Sequence, residues 1–213
     1  MAKTRNNYKS IFRKYLEGKL KLKTYQRVGV MFLVVVIAGF VGWTYEVVLN
    51  LISHGEFFMK GGNFLPWMNI YAIGAVLVIP ATYWIRRQPW AVFLIAALVT
   101  GVVELIGGWL AFELFDGARY WDYSQVWWGF GHINGFVCPV SVFAFGIGSM
   151  LLMYLLLPFC AFVAEKMSKR AFLILTITLF SVVMVDEIGN LIFKVLDLPT
   201  AMDFYRGIGL VYK

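Results

Sequence analysis

The 213-residue chain is poor in most of what soluble proteins rely on. Only 15% of its residues are charged and 61% are apolar, where a soluble domain carries about 25% charge and 45–50% apolar residues. That deficit excludes an ordinary cytosolic globule, and the apolar excess excludes a disordered chain. Two cysteines cannot build a disulfide framework; Cys138 and Cys160 lie inside apolar runs and read as small packing residues. Two histidines, His54 and His132, fall in different predicted loops without HExxH or HxxxH spacing, so neither a metal nor any other cofactor is expected. There is no Walker sequence, no CxxC and no Ser–His–Asp order, and Gly146-Ile147-Gly148 lacks the strand a nucleotide loop requires. No catalytic residue is assigned; whether the chain is an enzyme stays open, with the lack of a catalytic or ATPase motif weighing against it.

What the chain has in abundance is apolar length and aromatic rings. A hydrocarbon core of about 30 Å needs roughly 20 helical residues. Five stretches qualify: 28–52, 66–85, 90–115, 134–163 and 170–193. Eight Trp, eleven Tyr and nineteen Phe suit anchoring at two membrane–water interfaces. The fold class is therefore all-α, a polytopic membrane protein of about five transmembrane helices occupying 28–193. The fourth span is long enough to tilt, or to break at Pro139 or Pro158. Residues 1–27 form a basic segment in which Tyr8, Ile11, Phe12, Tyr15 and Leu16 recur at helical spacing. An amphipathic helix on an anionic lipid surface is expected there, with a docking surface for a cytoplasmic partner as the alternative. The first apolar run is too long, and the basic segment before it too extended, for a cleavable signal peptide.

Positive charge orients the spans. Lys3, Arg5, Lys9, Arg13, Lys14, Lys19, Lys21, Lys23 and Arg27 precede the first span, Arg86 and Arg87 follow the second, and Lys166, Lys169 and Arg170 flank the turn between the fourth and fifth. Lys60, Arg119, Lys194, Arg206 and Lys213 fall on the other side. Lysine and arginine are retained on the cytoplasmic side during insertion, so the N-terminus is expected in the cytoplasm and the 194–213 tail outside. The net charge of +7 is thus a topology signal, and nucleic acid is not an expected partner.

Carboxylates inside spans are costly, about 3 kcal/mol near a helix centre, and each needs a reason. Glu46, Glu104, Asp186 and Glu187 are the cases here. At helical rise, Glu46, Glu104 and Glu187 lie roughly 9, 16 and 9 Å below the outer end of their spans. Asn69 and Tyr71 in the second span and Asn134, Cys138 and Ser141 in the fourth fall at similar depth. A common polar layer suggests an outward-facing cavity for a small solute or cation, because acids buried together without water or a cation repel. The bland alternative is that the polar groups only fasten helices to one another. Neighbours on a helix are about 100° apart, so Asp186 and Glu187 cannot face the same way; Glu187 shares a face with Asn190 at i,i+3, Asp186 pairs with it at i,i+4, and either acid suits the cavity. The outer loop 116–133 is ring-rich and should fold back over the membrane surface. Within Trp121-Asp122-Tyr123-Ser124, Asp122 needs a partner: Arg119, a helix N-terminus or a substrate cation.

Gly42-Trp43-Thr44-Tyr45-Glu46, then Ile70-Tyr71-Ala72-Ile73-Gly74-Ala75, then Glu104, Trp121-Asp122-Tyr123-Ser124, Asn134-Gly135, Cys138 and Ser141 resemble a bacterial family, the Putative ABC-transporter type IV permeases. The resemblance covers residues 40–151, with Asn69-Ile70-Tyr71-Ala72 where the family pattern reads Pro-Ile-Tyr-Gly and His132 where it carries Asn. It implies a transport component served by a separate cytoplasmic ATPase subunit. The short loops 86–89 and 165–169 leave the N-terminal segment as the place for such a subunit to dock. The substrate-binding candidates are Glu46, Asn69, Tyr71, Glu104, Asp122, Asn134, Asp186 and Glu187. Membrane lipids are the other expected partners, and the span glycines suit packing within one chain or in a homo-oligomer. Two other function classes compete: a membrane-embedded enzyme acting on lipid or lipid-linked substrates, with Glu104 or Asp122 as acid or base, and a non-transporting scaffold or regulator.

Overall fold

The computed structural model describes residues 2–55, 57, 59, 61–114, 117 and 119–210, the first five and residues 53–54 by backbone alone. Among these, regular structure is helical apart from an isolated antiparallel bridge between Ile133 and Val137. Four helical runs are long and apolar enough to cross a membrane: α2 (Thr24–His54), α4 (Pro89–Leu114), the continuous run Pro139–Lys166, and α7 (Lys169–Val195). Their surfaces suit hydrocarbon: Leu98 is 67% exposed, Ile174 62% and Val185 72%, which in water would be a severe liability. The second expected span is shorter than its sequence suggests. Helix α3 covers Asn69–Tyr83, 15 residues, or about 22 Å of rise. Residues 66–68 are instead non-helical, and Trp67 is buried. The chain resolves into two compact units.

The first unit comprises Met1–Leu20 and Gly74–Pro158. Helix α1 (Ala2–Glu17) is amphipathic as expected, but part of its apolar face is spent on the protein: Ile11 and Tyr15 are buried. The last carbonyls of a helix lack intrahelical donors. Here two consecutive arginines supply them. Arg86 Nε donates to the Tyr15 carbonyl at 2.8 Å, Arg87 Nε to Leu16 at 3.1 Å, and Arg87 Nη2 to Glu17 at 2.6 Å. The Arg86 guanidinium also lies 4.1 Å from the Tyr83 ring centroid and 5.6 Å from that of Tyr15, a cation–π arrangement. Helices α4 and α5 (Pro139–Leu151) pack closely because small residues meet rings: Gly146 lies under Phe93, Gly101 against Val142, and Phe93 meets Phe143 edge-on.

The long run Pro139–Lys166 departs from the 134–163 span. Residues 134–136 form a turn closed by the Ile133–Val137 bridge, and Cys138 caps α5 ahead of Pro139, where a missing N–H costs nothing. Pro158 does not break the helix. Leu152–Leu156 widen into one π-helical turn, in which the Leu157 N–H reaches the Leu152 carbonyl, before α6 (Leu157–Lys166) resumes. A proline ring collides with the carbonyl four residues back, here that of Tyr154, and the widened turn is where such a conflict is absorbed.

The second unit comprises Lys21–Ile73 and Phe159–Lys213. Its centre is α2 against α7. Phe32 and Phe180 stack at 4.2 Å with their planes 10° apart, and Tyr25 meets Phe172 edge-on. Trp67, Ala72 and Val183 form a buried cluster with Val35, Val36, Leu65 and Met184 around it. The Trp67 indole donates to the Val36 carbonyl at 3.0 Å and lies flush against Gly39, where no Cβ would fit. Helix α8 (Ala201–Gly207) is capped by the reciprocal pair Thr200 and Asp203.

Candidate functional site

Glu104 is the most deeply buried acid of the described spans, 4% exposed in the middle of α4. Both of its oxygens accept hydroxyl bonds. Tyr123 donates to Oε1 from the loop between α4 and α5, and Ser141 donates to Oε2 at 2.7 Å from the first turn of α5. Ser141 is held there by the cap of its own helix: its hydroxyl accepts the Cys138 N–H at 3.2 Å while its own N–H reaches the Cys138 sulfur. Three chain segments therefore converge on one carboxylate.

The loop that brings Tyr123 inward is fixed by the rest of the Trp121–Ser124 block. The Trp121 indole donates to the Phe136 carbonyl at 2.7 Å, and the Tyr123 N–H to the Gly135 carbonyl at 2.9 Å. Asp122 caps the short 3-10 turn Tyr123–Gln125, accepting from the Ser124 N–H at 2.9 Å and hydroxyl at 2.6 Å. Arg119 lies 3.6 Å from Asp122, donates to the Asn134 carbonyl at 2.7 Å, and sits over the Phe112 and Phe136 rings. Burial pushes the Asp122 carboxyl up, but bonds from the Ser124 hydroxyl and amide, with Arg119 and His132 nearby, outweigh it and hold the group below the usual carboxylate range. Asn134 and Gly135 both take positive φ, 50° and 78°. At Gly135 a Cβ would strike the Asp122 carboxylate and the Arg119 guanidinium, so this turn depends on glycine. Asp122 thus has two of the three partners its sequence context suggested, Arg119 and a helical N-terminus. Asn134 takes part through its backbone carbonyl.

The second unit places the other acids with different partners. Tyr71 donates to Glu46 Oε1 at 2.6 Å, its ring seated on Gly42 of α2. Asn69 opens α3 and is exposed. Asp186 and Glu187, about 100° apart on α7, both reach the turn before α3. Asp186 accepts the Phe64 and Leu65 N–H groups at 3.1 and 2.8 Å, and Glu187 accepts the Asn63 side chain at 2.8 Å. The longer glutamate side chain makes up the angular difference. Of the two acids spaced to meet Asn190, Asp186 at i,i+4 is the one its amide donates to, and the Asn190 side-chain oxygen accepts the Ala201 N–H. Tyr123, Ser141, Arg119 and Asn63 were not among the binding candidates. Ser141 was visible by depth, whereas the others sit in loops where hydropathy carries no signal. Among the described residues no group of His, Cys, Asp and Glu could hold a metal ion.

Against known families, the one described as Putative ABC-transporter type IV matches residues 32–191. No curated protein and no solved structure matches.

Proposed function

The chain belongs to the Putative ABC-transporter type IV family and is a multi-pass membrane transport component; from that premise we propose that Glu104, Tyr123 and Ser141 form its solute site, open to the outer face. The observation that carries this reading is the buried carboxylate whose two oxygens are each met by a hydroxyl from a different segment. Carboxylate and hydroxyl oxygens form an all-oxygen set with a single negative charge. Such a set suits a monovalent cation or a primary ammonium group, and lacks the nitrogen and sulfur ligands a transition metal prefers. When a cation enters, the two hydroxyls turn their lone pairs toward it, so the same three side chains serve the empty and loaded states. Glu46 with Tyr71 is a second carboxylate–hydroxyl pair of the same chemistry. Asp122, Asp186 and Glu187 anchor loops instead, since each accepts N–H bonds from the turn it holds, and an N–H, unlike a hydroxyl, has no lone pair to turn toward a cation. The N-terminus lies in the cytoplasm, and coupling to ATP runs through a separate subunit on that side.

The test is accessibility with charge discrimination. With Cys138→Ser and Cys160→Ala removing the native thiols, Ser141→Cys is exposed from the outer side to a cationic and an anionic methanethiosulfonate of similar size. The cationic reagent should react faster, and adding Glu104→Gln should abolish the preference. Lack of reaction from outside, or equal rates with Glu104 intact, would refute the site. Co-purification of an ATPase with the tagged chain tests the coupling.

A further inference from the structure

A groove of about 500 Å3 opens in the first unit between the end of α1, the α3–α4 turn and the π-helical segment. Its walls are apolar, from Phe12, Leu16, Met150 and Tyr154, and Arg86 and Arg87 line its edge. Neither arginine has a carboxylate partner among the described residues. Glu17, the acid that shares the groove, is engaged by Arg13 and Lys19, which hold its carboxyl down at about 2. The guanidiniums spend two N–H groups each on carbonyls and keep the rest. Trp84 and Trp90 bracket the turn and are 71% and 68% exposed, the disposition of rings that mark a membrane–water boundary.

We propose that this groove binds one anionic phospholipid, its phosphate at Arg86 and Arg87 and an acyl segment along Phe12, Leu16 and Met150. An apolar channel ending at two cations that lack counter-ions, at the depth where headgroups lie, is complementary to that molecule. A neutral lipid would leave the cations unmatched, and a soluble anion would leave the apolar wall unmatched. The bound lipid then bridges α1 and the α3–α4 turn, adding to the three arginine–carbonyl bonds there.

Native mass spectrometry of the full chain, titrated with phosphatidylglycerol or phosphatidylcholine of identical acyl chains, tests this. Each arginine near a headgroup surface is worth about fivefold in affinity, so phosphatidylglycerol should be retained at least about fivefold more tightly. Arg87→Gln should bring it toward the phosphatidylcholine level while Arg87→Lys largely preserves it. Met150→Trp, which fills the channel without touching the charges, should weaken both lipids. Hydrogen exchange across α4 and α5, which the arginine–carbonyl bonds do not hold, confirms that each variant stays folded. Equal retention of the two lipids, full displacement by glycerol 3-phosphate at equimolar concentration, or indifference to both Arg87→Gln and Met150→Trp would overturn the proposal. So would a stoichiometric protein holding this surface in the purified material with no lipid present.

Discussion

Replacing Ser141 with alanine removes two things at once, and their sizes can be worked separately. The first is the 2.7 Å bond to Glu104, buried at both ends. Hydrogen bonds to charged groups are worth about 1.5–3 kcal/mol in soluble proteins, but side-chain bonds between membrane helices average about 0.6 and reach about 1.7. Because the acceptor is a carboxylate and its desolvation is nearly complete, the upper part of the membrane range applies, about 1–1.7 kcal/mol. The second loss is the acceptor for the Cys138 N–H at the cap of α5, about 1 kcal/mol. Ser141→Ala should therefore cost about 2–2.7 kcal/mol in total. Only the first part depends on Glu104. In a double-mutant cycle with Glu104→Met, measured by reversible unfolding in bicelles, the two substitutions should couple by about 1–1.7 kcal/mol, while the cap share persists in either background. Additivity within about 0.3–0.5 kcal/mol would show that the bond contributes nothing, and the reading of Glu104 as the focus of three segments would fall.

Arg86→Gln should free the end of α1, since it removes the guanidinium stacked on Tyr83 and Tyr15 together with its bond to the Tyr15 carbonyl; faster hydrogen exchange over residues 8–17 and easier tryptic cleavage at Lys14 are the expected results. Asp186→Ala, which strands the Phe64 and Leu65 amides, should destabilise by about 2–3 kcal/mol, and Asp186→Asn by less because one amide keeps an acceptor; equal losses in thermal unfolding would contradict this. Gly42→Val should drive the Tyr71 ring from Glu46, so Tyr71→Phe should lower the thermal unfolding temperature in the native background and have no further effect in the Gly42→Val background. The depressed carboxyl of Asp122 gives stability that is present above its unfolded value near 3.8 and lost as pH falls through the lower folded value. The loop 121–136 should therefore exchange hydrogen at a pH-corrected rate that is level from pH 5 to 8 and rises below pH 4.

Hydropathy revealed the spans because each was long and apolar, and it revealed Glu104 because a carboxylate in the middle of such a run has no cheap explanation. It erred by three residues at the start of the second span. Pro66, Trp67 and Met68 are apolar enough to read as membrane helix, yet the Trp67 indole and the Met68 N–H are satisfied by carbonyls of α2, a tertiary contact with no trace in local pattern. A similar limit hid Tyr123. An aromatic residue in a loop between spans looks like an interfacial anchor, and only the turn built by Asn134 and Gly135 directs its hydroxyl to Glu104. Charge counting reads Arg86 and Arg87 only as topology signals, and their bonds to the α1 carbonyls leave no trace in it, because a count of cations says nothing of what each one holds.

The fastening of α1 has a consequence for how the chain is made. Its clasp lies about 70 residues downstream, at Arg86 and Arg87. At the usual 5–20 residues per second, about 4–14 s pass between synthesis of the helix and synthesis of the residues that secure it. During that interval a strongly basic amphipathic segment is loose beside the ribosome, free to meet the bilayer surface or a targeting factor. Nascent chains arrested before residue 86 should leave it open to protease, and chains arrested far enough beyond residue 87 to release both arginines from the exit tunnel should protect it, so that closure of the first unit becomes a timed step of biogenesis.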